Sequence, residues 1–220
     1  VRVSIIEAGP RLVPSFSESL STKTQKDLEK LGVTVLTNTS VKEVMPDSIL
    51  TLDGNTIPAN TTVWAAGVKG VPAMDQLHLP VTRGRIDVES TLQVTGYENV
   101  WAIGDIAGAV GANGTPLPMV APVAMQQGRW VAKQIMRAAR GQALQDFKYL
   151  DKGSMATIGR HKAVVQFKGI QITGIPAWYA WLWLHLFYLL GGRNKIGTMA
   201  DWTWNYLTFD RGNRHIMDSL

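Results

Sequence analysis

The 220-residue sequence contains no cysteine. A disulfide framework, a thiolate metal site and a redox-active dithiol are therefore excluded, and any electron transfer has to run directly through a cofactor. Long hydrophobic runs are also missing. The longest apolar stretch, Ile175 to Leu190, has 16 residues, whereas a spanning helix needs roughly 20. Acidic charge is scarce in the middle of the chain. Residues 129–168 carry 9 Lys/Arg against 2 Asp/Glu, compared with 9 against 12 in residues 1–128 and 4 against 3 in residues 169–220. The net charge of +5 thus belongs to the middle segment. No helix-turn-helix, finger or aromatic RNA motif accompanies that basic block, so no nucleic-acid partner is expected. Val1 opens straight into a strand-like run, and no leader peptide is expected.

The most informative stretch is residues 99–130. Val100 to Ile103 is a short apolar run bounded by turn residues, which suits a parallel strand covered on both faces. Gly104 allows a sharp backbone turn, and Asp105 then sits at the carboxyl end of the strand, where ligands bind in open α/β sheets. A carboxylate there accepts strong hydrogen bonds from sugar or polyol hydroxyls. Pro122 fits the first turn of a helix. That helix is expected to place Ala124, Gly128, Val131, Ile135 and Ala138 on one face and Arg129, Lys133 and Arg137 on another.

Val-Trp-Ala-Ile-Gly-Asp-Ile-Ala resembles the second flavin-binding motif of flavoproteins with two dinucleotide-binding domains. The following Ala-Pro-Val-Ala-Met-Gln-Gln-Gly narrows the resemblance to the type II NADH:quinone oxidoreductases. The resemblance implies an α/β, Rossmann-like flavoprotein fold, here partial, with an antiparallel strand meander and carboxyl-terminal amphipathic helices. It implies FAD and NADH as cofactors and a membrane quinone as acceptor, with hydride passing from NADH to FAD and two electrons then passing to quinone, without proton pumping. Asp105 after Gly104 would bond the FAD ribitol, and Ala121, Pro122 and Val123 would point a helix amino end at the flavin. Relatives of this fold pass electrons through a cysteine pair, which this chain lacks.

Val1 to Ile6 reads as a strand, with Glu7 at its end and Gly9-Pro10 breaking the run. An acid in that place holds the adenosine ribose of NAD and repels an NADP 2′-phosphate, although Arg11 lies nearby. The G-x-G-x-x-G loop that should lie about 20 residues earlier is not in the sequence. The expectation is a later half of such a protein, inactive by itself. Glu18 to Leu31 is a lysine-rich helix candidate stopped by Gly32. Val33–Leu36, Val41–Met45 and Ile49–Leu52 are strand candidates, with Asp53-Gly54 as a turn. Thr62 to Gly67 is a further strand candidate running into small residues. By resemblance, the backbone of Ala65, Ala66 and Gly67 lies beside the nicotinamide.

Residues 68–98 are loop-rich, with Val71-Pro72, Leu79-Pro80 and a strand candidate at Arg85–Val88. Met155–Ile158, Ala163–Phe167 and Ile170–Thr173 follow as an antiparallel meander. Ahead of them, Tyr149-Leu-Asp-Lys-Gly-Ser-Met-Ala-Thr-Ile-Gly159 is similar to a type II dehydrogenase segment, which brings Lys152 near the flavin and the quinone pocket. Gln126 and Gln127 are the candidates for the quinone end, since an amide bonds a carbonyl oxygen in either protonation state of the product. The family's quinone motif often reads Ala-Gln-x-Ala-x-Gln, and here Pro122 stands at its first glutamine. The expected domains are 1–74, the remainder of an NADH-binding domain; 75–146, a second segment of an FAD-binding domain; and 147–220, the meander with membrane-associating helices.

Trp178, Trp181 and Trp183 crowd the start of the 16-residue apolar run, and Arg193 and Lys195 precede a second cluster of Trp202, Trp204, Tyr206 and Phe209. These read as two interfacial helices, with residues 175–210 meeting a membrane surface. A peripheral protein on the cytoplasmic face of a bacterial inner membrane, and a homodimer through the same region, are expected from the resemblance. Two other readings stand beside it: a soluble flavin-dependent reductase of another acceptor, with the aromatic tail buried, and a non-catalytic membrane-associated module without flavin.

Overall fold

A computed structural model describes residues 2–68, 70 and 76–208. Val1, Val71-Pro72, the expected boundary between residues 74 and 75, and Phe209 lie outside the described residues. Contacts group the chain into two compact units, Val1–Thr62 with Gly153–Leu220, and Val63–Lys152.

In the first unit, β1 (Val3–Ile6) and β2 (Val33–Leu36) pair in parallel, Val3 opposite Val33 and Ile6 opposite Leu36. A parallel pair needs a crossover, and α1 (Glu18–Glu29) supplies it. Ser17, extended at φ −61° and ψ 159°, caps α1 by accepting from the Leu20 N–H, and Glu18 adds a favourable charge to the first turn. Leu20 and Phe16 pack on Val164 of the carboxyl-terminal sheet. The helix stops at Glu29, short of the expected Leu31, which is 53% exposed, and the buried face of α1 continues through Ser21, Thr24 and Asp27.

β3 (Val41–Val44), β4 (Ser48–Thr51) and β5 (Thr56–Pro58) form an antiparallel meander with the Asp53-Gly54 turn between its last two strands. β8 (Ser154–Gly159), β9 (Lys162–Phe167) and β10 (Ile170–Thr173) form a second one, over the expected strands; β6 (Val81–Thr82) and β7 (Arg85–Ile86) belong to the other unit. Ser17 N–H donates to Gln166 Oε1 at 2.8 Å and Ser19 Oγ to Gln171 Oε1 at 2.8 Å, so α1 is tied to this sheet at its amino end.

α3 (Ile175–Tyr188) packs Ala177 against Ala163 and Val165. Apolar side chains nevertheless go round the whole of α3: Trp183 is 67% and Phe187 73% exposed. α4 (Gly192–Thr208) is fastened at its carboxyl end by the β8–β9 turn. Arg160 Nη2 donates to the Asn205 and Tyr206 carbonyls at 3.1 and 2.7 Å, and His161 Nε2 lies 2.8 Å from the Tyr206 hydroxyl. Trp178, Trp181, Trp202 and Tyr206 line a groove of about 530 Å³ between the two helices. Among the described residues, no helix is long and apolar enough to cross a membrane.

The second unit holds β6 (Val81–Thr82), β7 (Arg85–Ile86) and α2 (Ala121–Ala138). Its core joins Leu92, Ala109, Leu117, Val123 and Val131, beside a smaller cluster of Ile86, Val94, Ala102 and Ala107. Two expectations are corrected here. Val100–Ile103 is not a strand covered on both faces. Trp101 makes a single antiparallel bridge to Gln93, while Val100 and Ile103 are 37% and 38% exposed. The apolar run buries only its inward residues, because its neighbour along residues 92–94 bonds it at isolated points, Val94 N–H to Val100 O and Ala102 N–H to Leu92 O. Thr62–Gly67 is irregular rather than a strand, with Val63 84% and Trp64 65% exposed. No strand among the described residues pairs with it, so β-branched content alone did not make a ladder.

Candidate functional site

The Asp105 site is built where a short turn meets a helix. Residues Gly104–Ile106 form one turn of 3₁₀ helix. Gly104 takes φ +72°, a left-handed conformation that glycine adopts without cost. A Cβ added there would stand 3.6 Å from the Ala124 Cβ, and one added at Gly128 would stand 3.7 Å from Ile103 Cδ1. The small residues singled out on α2 therefore let the helix approach the turn closely. Gln127 completes the joint. Its side chain is fully buried, and its Oε1 accepts the Gly104 N–H at 2.6 Å.

α2 begins with Val120 as its cap residue, without a side-chain cap bond, with Pro122 in its first turn and without an acid there. No acid of that first turn thus offsets the positive end of the helix dipole. Ala121 is exposed, Pro122 half-buried, and Val123 2% exposed in the core. Asp105 projects outward. Arg85 is a charged neighbour that sequence reasoning did not single out. Burial pulls its guanidinium below the ordinary value and the Asp105 carboxylate works the other way, while Nη1 donates to the Leu117 carbonyl at 3.1 Å. Ile103, Val110, Val120 and Met125 leave 38%, 56%, 41% and 39% of their surface exposed in this same turn, loop and helix start.

Gln126 faces away from Gln127, in a half-buried position. Its Nε2 donates to the Leu150 carbonyl and its Oε1 accepts the Leu150 N–H, both at 3.0 Å. The amide thereby imitates a strand partner and fixes the chain two residues before Lys152, which is exposed. Gly153 follows at φ +81°, where a Cβ would come within 2.3 Å of the Gln166 carbonyl oxygen, so only glycine fits between Lys152 and β8.

In the other unit, Glu7 follows β1, and its Oε1 accepts the Gly9 N–H at 2.7 Å. Arg11 is directed into its own loop, donating to the Phe16 and Pro14 carbonyls at 2.7 Å each. Ala65, Ala66 and Gly67, which belong to the same unit as Asp105, are exposed, Gly67 at φ +106°. The structure thus brings Gly104, Asp105, Gln127 and the start of α2 together, and holds Glu7 on a separate turn.

Residues 1–128 match the family model described as pyridine nucleotide-disulphide oxidoreductase, and residues 152–211 match that of the NDH2 C-terminal domain. Among curated proteins, the chain is 34% identical to the type II NADH:quinone oxidoreductase Ndh of Mycobacterium tuberculosis, across 99% of this chain and 48% of that protein. It is 36% identical to the type II NADH:quinone oxidoreductase of Staphylococcus aureus, across 80% of this chain and 45% of that protein. The chain spans about half the length of the curated relatives it matches. Solved structures that share its fold include the following two. One is NDH2 from Plasmodium falciparum in complex with NADH (TM-score 0.80, 18% identity, 94% of this chain and 58% of that one). The other is the sulfide:quinone oxidoreductase of Aquifex aeolicus (TM-score 0.69, 18% identity, 89% and 51%).

Proposed function

Because this chain belongs to the pyridine nucleotide-disulphide oxidoreductases, in their type II NADH:quinone oxidoreductase branch, we propose that it forms part of an FAD-dependent enzyme that oxidises NADH and reduces a membrane quinone. The net reaction takes a hydride and a proton, so that NADH becomes NAD⁺ and quinone becomes quinol. FAD, when bound, supplies the two-electron relay between the two substrates.

The observation that carries this reading is the Gly104–Ile106 turn against the uncapped start of α2, with Asp105 projecting from it. These residues suit a flavin. Asp105 accepts hydrogen bonds from a ribityl hydroxyl. The exposed apolar surface of Ile103, Val110 and Val120 suits a flat ring system, and the amino end of α2 at Ala121, Pro122 and Val123 favours negative charge on that ring. Glu7 accepts from the adenosine ribose of NADH. Arg11, spent on the Pro14 and Phe16 carbonyls, is not directed at a 2′-phosphate, which favours NADH over NADPH. Ala65, Ala66 and Gly67 offer exposed backbone to the nicotinamide. At the quinone end, Gln126 fixes Leu150 and hence the approach to Lys152, whose ammonium donates to a quinone carbonyl.

The exposed aromatic and apolar side chains of α3 and α4 support peripheral attachment to a membrane; the membrane of this proposal is a bacterial inner membrane, met from its cytoplasmic face. A second copy of the chain is the other cover for such a surface, and vesicle flotation against light-scattering mass separates the two.

The test is flavin stoichiometry. Asp105→Ala is expected to lose most of its bound flavin while circular dichroism stays unchanged. Full retention of flavin by that variant rejects the reading.

A further inference from the structure

Gln127 is an unusual core residue. It is one of the largest fully buried side chains in the molecule, it lies on the helix that carries the apolar core residues Val123 and Val131, and it is polar. Burying an amide costs free energy unless its groups are bonded, and leucine or methionine would fill the same volume without that cost. Only one of the amide's two polar groups is bonded among the described residues. Oε1 accepts the Gly104 N–H at 2.6 Å, whereas Nε2 is buried without a hydrogen-bond partner among the described residues.

What the amide does is therefore concentrated in one bond. Gly104 is the first residue of the 3₁₀ turn, and its N–H would otherwise be an orphan donor at the start of a helical turn whose preceding residue, Ile103, contributes no side-chain cap. The Ala107 N–H closes the same turn on the Gly104 carbonyl at 3.1 Å. Gly104 is thus held at its N–H by α2 and at its carbonyl by the turn itself. The left-handed φ of +72° is fixed between these two bonds, and with it the direction in which Asp105, the next residue, leaves the backbone. Ala124, one turn earlier on α2, touches the site of the missing Gly104 side chain and sets the depth of the approach.

We infer that Gln127 is a positioning residue. Its amide oxygen, through the Gly104 N–H, aims the Asp105 carboxylate at the polyol chain of the flavin. It acts from the core without touching the ligand, and this role rests on the flavin reading of the Asp105 site given above.

The experiment measures the FAD dissociation constant of the native flavin-loaded protein by recovery of free-flavin fluorescence on dilution. It compares wild type, Gln127→Met, Gln127→Glu, Asp105→Asn and the Asp105→Asn/Gln127→Met double variant, together with hydrogen exchange of the Gly104 amide. Gln127→Met keeps the volume and removes the acceptor. It is expected to weaken FAD binding about 10- to 100-fold and to speed exchange at Gly104. The double variant should be little weaker than Asp105→Asn alone, since both changes remove one interaction. Gln127→Glu restores an oxygen acceptor, and in mildly acidic buffer, where a buried carboxyl is neutral, it should recover most of the affinity. Wild-type affinity in Gln127→Met, additive losses in the double variant, or no recovery in Gln127→Glu overturns the inference. A wild-type protein that carries no flavin overturns the functional reading itself, and Gly104 exchange still reports whether the bond to Gln127 forms.

Discussion

Two exposed aspartates sit beside a left-handed glycine in this molecule, and they are used in opposite ways. At Asp53-Gly54 the carboxylate closes on its own turn, accepting the Thr51 hydroxyl, the Asn55 amide at 2.8 Å and, more loosely, the Asn55 N–H. At Gly104-Asp105 the turn is held from outside, by Gln127 on α2, and among the described residues no donor is spent on the Asp105 carboxylate. The first turn is complete by itself and ends a hairpin. The second leaves its carboxylate near the Arg85 guanidinium, and the cost of shaping it is carried by a buried amide on α2. Glu7 lies between the two. One of its oxygens is spent on Gly9, within the turn, and the side chain remains half-buried.

Three changes probe this contrast. The largest effect is expected from Gly104→Ala. Forcing alanine into the left-handed region costs about 1–2 kcal/mol, and the added methyl meets Ala124. Thermal stability should fall by that amount and bound flavin should be lost with it. An unchanged melting temperature with full flavin would mean that the outside-held turn does not require glycine at position 104. A smaller effect is expected from Glu7→Gln, whose amide oxygen still accepts the Gly9 N–H. The turn should survive, and the preference for NADH over NADPH in kcat/KM should fall about tenfold. An unaltered preference would remove Glu7 from cofactor selection.

The smallest effect belongs to Asp53. The Thr51 hydrogen bond, ahead of those from Asn55, holds its carboxyl below the ordinary 3.8. A depressed acid stabilises the fold above its unfolded-state value and stops doing so as pH falls through its folded value. The gap in melting temperature between wild type and Asp53→Asn should therefore be slight at neutral pH and vanish in acid below 3.8. A gap that widens in acid would reverse the assignment.

Much of the fold was legible because it is local. Glu18 marks the start of α1 and Gly32 bounds it, although the helix ends at Glu29 rather than at the expected Leu31; the Asp53-Gly54 turn marks a hairpin, and short strands joined by turns mark the meander over Ser154–Thr173. The Gly104-Asp105 turn and the start of α2 were legible by motif. The inward face of α2 was not. Periodicity pointed to Ala124, Gly128, Val131, Ile135 and Ala138, but the buried positions are Val123, Gln127, Val131 and Gln134, and Ile135 is 45% exposed. Hydrophobicity cannot find this face, because two of its four members are amides. They turn inward to meet N–H groups of loops distant in sequence, Gly104 for Gln127 and Gln145 for Gln134. The Val100–Ile103 expectation failed for a related reason. An apolar tetrapeptide states that it is partly buried, and only its hydrogen-bond neighbours decide whether it becomes a strand. Arg85 lacked any local mark, since its proximity to Asp105 arises only when β7 and the turn are brought together.

The glutamines of α2 give the helix a further property. Gln126, Gln127 and Gln134 each accept a backbone N–H from a different loop position, at Leu150, Gly104 and Gln145. Gln127 and Gln134 are seven residues apart on one rigid rod, a spacing of about 10 Å along its axis. The loops are in this sense indexed to the helix as marks are to a ruler. A residue added within a loop can be absorbed by slack between its marks. A residue added between Gln127 and Gln134 would rotate one mark by about 100° relative to the other, and would misplace two loops by changing neither of them.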